Sequence, residues 1–115
     1  MINQKVMDAI LRLIDGTKKG AIVWNSESPE GDSFLADLGP GKMRISQGVA
    51  FRGESNGPLI VEFLDAEGRT LSQHRAETVH DYPAVSELFQ LVRNQALDAD
   101  ETMSRIFEEI KRRSG

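Results

Sequence analysis

Apolar residues between Pro83 and Arg113 recur at Val85, Phe89, Val92, Ala96, Ala99, Met103, Ile106 and Ile110, in alternating steps of four and three, with Leu88 and Phe107 widening the stripe. This spacing predicts an amphipathic helix with one buried face. At 1.5 Å per residue such a helix spans roughly 46 Å, whereas a compact chain of this length is about 35 Å across. A straight helix therefore overhangs its own domain. Either it breaks, or its end packs on another copy of the chain. Asp98, with Glu101 three residues later, has the form of a capping box. That favours a kink or short break near Asp98, although the stripe stays in phase across it.

Residues 3–18 predict a first helix, with Ile2, Val6, Ile10, Leu13 and Ile14 on one face and Lys5, Asp8, Arg12 and Asp15 on the other. Gly16 or Gly20 stops it. Ala21 to Asn25 reads as a short apolar strand containing the only tryptophan, Trp24. After a polar loop at 26–32, Ser33 to Leu38 alternates, placing Phe34, Ala36 and Leu38 on one side. Lys42 to Gln47 alternates again with Met43 and Ile45, and Gly39-Pro40-Gly41 joins the two as a hairpin. Gly48 to Gly57 reads either as more strand, from Val49 and Phe51, or as a loop. Leu59 to Leu64 is the most strand-like run. Asp65-Ala66-Glu67-Gly68 turns the chain into Arg69 to Arg75, whose polar alternation predicts an edge strand. Asp81 is placed to cap the last helix, with Pro83 in its first turn.

The connectors between strands are too short for parallel crossovers. The expected fold is α+β, a single domain over 1–115: an N-terminal helix, an antiparallel meander sheet of about five strands, and a long or kinked C-terminal helix. Both helices pack on one sheet face.

Composition narrows the function. With 39% hydrophobic and 28% charged residues the chain is globular rather than disordered. The absence of cysteine removes disulfides, thiolate ligands and thiol nucleophiles. No uninterrupted apolar leader or membrane-length run is present, so the expectation is a cytoplasmic protein without a membrane partner. The net charge of −4 disfavours nucleic-acid binding. The two basic clusters, Lys18-Lys19 and Lys111-Arg112-Arg113, fall at helix C-termini, where cations complement the helix dipole.

Candidate chemistry is sparse. His74 and His80, with Glu77 and Asp81 as possible helpers, are six residues apart, about 20 Å on an extended chain, which predicts no metal site. His80-Asp81 has no serine elbow to serve. Gly39-Pro40-Gly41-Lys42 ends like a phosphate loop but lacks the first glycine and the hydroxyl, and it opens a strand where a helix is required. The carboxylates at Asp98, Asp100, Glu101, Glu108 and Glu109 fit a solvated helix face. The acidic loop holding Glu27, Glu30 and Asp32 lacks calcium-ligand spacing. No cofactor is expected. Trp24 reads as a core residue, or as a recognition hot spot if exposed.

The expected function is a non-enzymatic protein-interaction module acting as a homodimer, with Met103, Ile106, Ile110 and Trp24 as candidate interaction residues. The alternative is a small-molecule-binding domain or enzyme with a cleft near Trp24, His74 and His80. In size, acidity and helix-strands-helix order the chain resembles small bacterial secretion chaperones of the type III class. That resemblance implies an acidic homodimer that binds an unfolded segment of a partner. It departs where those chaperones have a helix in mid-sheet, because Gly48 to Gly57 is too glycine-rich to form one.

Overall fold

The computed structural model describes residues 2–28, 31–48, 57–76 and 80–115. Asn3 starts the first helix, α1 (Gln4–Lys18), by accepting the Val6 N–H on its side chain at 2.9 Å, which satisfies one of the unpaired first-turn donors. Ile10, Leu13 and Ile14 are buried, whereas Lys5, Asp8, Arg12 and Asp15 are exposed, as the amphipathic spacing requires. Gly20, at φ 75°, turns the chain away from α1.

A five-stranded antiparallel sheet follows in sequence order: β1 (Asn25–Ser26), β2 (Ser33–Asp37), β3 (Gly41–Gln47), β4 (Leu59–Asp65) and β5 (Thr70–Ala76). Phe34, Ala36, Met43, Ile45, Leu59 and Val61 are buried in one core with the helices. The alternation of each strand therefore sets its register, since a slip of one residue would turn these side chains out to water.

Two local expectations change, and a third gains a detail. Of the stretch at 21–25, only Asn25 joins the ladder, because the Trp24 N–H and the Ile22 carbonyl are taken by the Gln95 side chain instead of a strand. Leu38 is 43% exposed, since β2 stops at Asp37 and the turn through Gly39, at φ 96°, begins there. β5 is an edge strand, but its pairing slips between Phe63 and Leu64. That slip leaves Leu71 unmatched and 69% exposed, while His74 is half-buried and meets the Phe63 ring edge-on at 5.8 Å. The reading of Gly48 to Gly57 falls largely outside the described residues.

The C-terminal helix, α2 (Tyr82–Ser114), runs unbroken for 33 residues. The break expected near Asp98 does not occur. Asp98, Asp100 and Glu101 are all exposed, so water solvates their carboxylates and the in-phase stripe gains nothing from an interruption. Asp81 stands at the N-cap position without capping: its Oδ2 accepts the Ile2 N–H at 3.0 Å, which ties the start of the chain to the start of α2. Val85, Leu88, Phe89 and Val92 are buried, and Phe89 meets Phe34 of β2 edge-on at 5.9 Å. From Leu97 onward every residue except Glu109 is exposed. This overhang raises the radius of gyration to 16.0 Å, against about 13 Å for a compact chain of this size.

Candidate interaction surface and cleft

The residues singled out by sequence separate into three places. Trp24 is 3% exposed, and its Nε1–H donates to Thr17 Oγ1 at 3.0 Å. It is a core residue and offers no surface to a partner. Trp24 leads into β1, whereas His74 lies on β5 at the opposite edge of the sheet, and His80 is exposed just ahead of α2. Trp24 and His74 are therefore separated by the width of the sheet. Among the described residues, no cluster of three or more His, Cys, Asp or Glu is arranged to hold a metal ion; Glu77 lies outside them.

Met103, Ile106 and Ile110 are brought together on the overhang of α2, with exposures of 50%, 48% and 58%. Phe107, also exposed, extends the patch. Val92, Ala96, Ala99, Met103, Ile106 and Ile110 continue the steps of four and three, a period that also suits a coiled-coil seam. Val92 is buried within the domain and Ala96 is half-buried; the later positions are open to solvent.

Charge on the overhang is divided along its length. Asp98, Asp100 and Glu101 outweigh Arg105 in the first half, while Lys111, Arg112 and Arg113 outweigh Glu108 and Glu109 in the second. Arg112 and Arg113 both donate to the Glu109 carboxylate and hold its pKa below the ordinary range.

The outer sheet face carries a second ionic group. Arg44 on β3 donates to Glu27 through Nε at 2.7 Å and Nη2 at 3.2 Å, and its Nη1 lies 3.6 Å from Glu62 on β4. Hydrogen bonding to Arg44 pushes the Glu27 carboxyl below its usual range, and Glu27 in turn raises Arg44. These contacts tie the segment after β1 to the middle of the sheet.

A cleft of about 560 Å³ opens between α1, the segment after it, the β2–β3 turn and the β4–β5 end of the sheet. Leu13, Ile22, Leu38, Met43, Phe63 and Leu71 line it, and Arg12 and Lys42 are the only charged residues on its wall. Sequence reasoning missed this feature because its walls come from separate segments that share no motif.

Among the described residues, no helix is long and apolar enough to cross a membrane. No protein-family model, curated protein or solved structure matches this chain.

Proposed function

We propose that the protein is a non-enzymatic interaction module that works as a homodimer, joined through the overhanging half of α2. The observation that carries this reading is the apolar seam from Ala99 to Ile110, which continues the buried stripe of the domain but is left exposed, without a partner among the described residues. A second copy is the occupant that its charge favours. Antiparallel pairing sets the acidic half of each overhang against the basic half of the other, whereas parallel pairing sets like against like.

A two-fold axis near Ile106 and Phe107 makes the contact self-complementary. Met103 then faces the partner's Ile110, and Ile106 faces the partner's Phe107. Residues 97–114 supply about 27 Å of helix for this contact, leaving the sheet and α1 free for other partners.

The test is the double variant Met103→Asp, Ile106→Asp. Both residues are exposed in the single chain, so the monomer fold is kept while the mass in solution falls to that of one chain, and the melting temperature drops only by what association contributed. A folded variant that keeps the wild-type dimer mass overturns the reading.

A further inference from the structure

We propose that the cleft beside α1 binds a small amphipathic carboxylate, a molecule with an apolar body and one anionic head. Its volume of about 560 Å³ lies within the range of small-molecule sites, roughly 300–1,000 Å³. Apart from Arg12 and Lys42, no lining side chain has a nitrogen or oxygen to offer. The wall therefore suits an apolar body, and polarity is confined to two cations.

Those two cations are unpaired. Lys18, Lys19, Arg44 and Arg69 each have a carboxylate within ion-pair distance, but among the described residues neither Arg12 nor Lys42 has one. The acids best placed by sequence and register to neutralise them are engaged elsewhere. Asp8, one helical turn before Arg12, accepts from Gln4 Nε2 at 2.8 Å. Asp37, opposite Lys42 across the hairpin, accepts the Gly39 N–H at 3.0 Å. Lys42 is also half-buried, so its stem covers apolar wall while its ammonium stays available. Two free cations at an apolar hollow, on a chain of net charge −4, select an anionic head over a cationic one, and the Arg12 guanidinium matches a carboxylate through two parallel hydrogen bonds. A peptide segment is a poorer occupant. Its backbone N–H groups would enter a wall whose side chains offer no oxygen to accept from them.

The experiment titrates the intact protein with decanoate and, separately, with decyltrimethylammonium, both below their micelle concentrations, by calorimetry. Methyl resonances of Leu38, Met43 and Leu71 are followed in parallel. The expected result is binding of one decanoate per chain, at least about tenfold tighter than the cation, with shifts at those methyl groups. The Arg12→Gln, Lys42→Gln variant then loses about tenfold in decanoate affinity while its affinity for decyltrimethylammonium does not fall. No decanoate binding, equal affinity for both ions, shifts centred on Met103 and Ile106, or a folded double variant that binds decanoate normally would each overturn the assignment. If that variant fails to fold, the comparison of the two ions on the wild-type protein decides alone.

Discussion

The side chain of Gln95 holds the backbone of Trp24: Gln95 Oε1 accepts the Trp24 N–H at 2.8 Å, while Gln95 Nε2 donates to the Ile22 carbonyl at 2.9 Å. One amide on α2 thus replaces the neighbouring strand that this extended segment lacks. Gln95→Leu keeps the bulk and removes both bonds, leaving partly buried backbone groups unsatisfied. We expect a loss of about 1–3 kcal/mol, read as a lower urea midpoint with an unchanged slope. A wild-type midpoint would show that water replaces the clamp without cost.

The burial of Trp24 is itself measurable. As the only tryptophan, 3% exposed and hydrogen-bonded to Thr17, it gives blue-shifted emission in the folded protein and resists quenching by iodide. Thr17→Val strips the indole N–H of its acceptor and costs about 1–3 kcal/mol. Red-shifted, readily quenched emission would place Trp24 on the surface instead.

The Glu27–Arg44 pair predicts a pH dependence with a definite sign. Because the folded-state pKa of Glu27 lies below the ordinary value of 4.5, the stabilisation is fully present above that value and is lost as pH falls through the folded pKa. Glu27→Gln should be less stable than wild type at pH 7, by at most about 1 kcal/mol because solvent and salt screen so exposed a pair. The difference should shrink steadily below pH 4.5. Denaturation of both proteins at pH 7 and pH 3 checks this.

The divided charge of the α2 overhang predicts how the dimer responds to salt. An antiparallel pair with acidic halves on basic halves weakens as salt rises, whereas a purely apolar contact does not. The dimer dissociation constant, measured at low and at high salt, should therefore rise several-fold with salt. A constant unchanged by salt would mean that the divided charge does not set how the helices pair.

Much of the fold was legible because its signals are local. Period-two alternation marked Phe34 and Ala36, Met43 and Ile45, and Leu59 and Val61, and short connectors then left only a meander. The helical stripe was legible too, but Asp98 and Glu101 misled, since a capping signal acts only where the backbone has a reason to stop. Gly41 reads in sequence as a turn glycine, yet the demand on it is tertiary: a Cβ there would stand 2.4 Å from the Leu64 carbonyl oxygen. The candidate surface divides in the same way. Met103, Ile106 and Ile110 announced themselves by spacing, whereas the Gln95 clamp and the cleft at Arg12 and Lys42 depend on which distant segments the fold brings together.

The mass of the purified protein in solution, measured by light scattering across a dilution series at low salt, decides whether two copies pair through α2. A mass twice the 12.8 kDa of the chain, falling toward one chain on dilution or in the Met103→Asp, Ile106→Asp variant, is the predicted result. A monomer at every concentration would contradict pairing and leave the seam of α2 open to solvent.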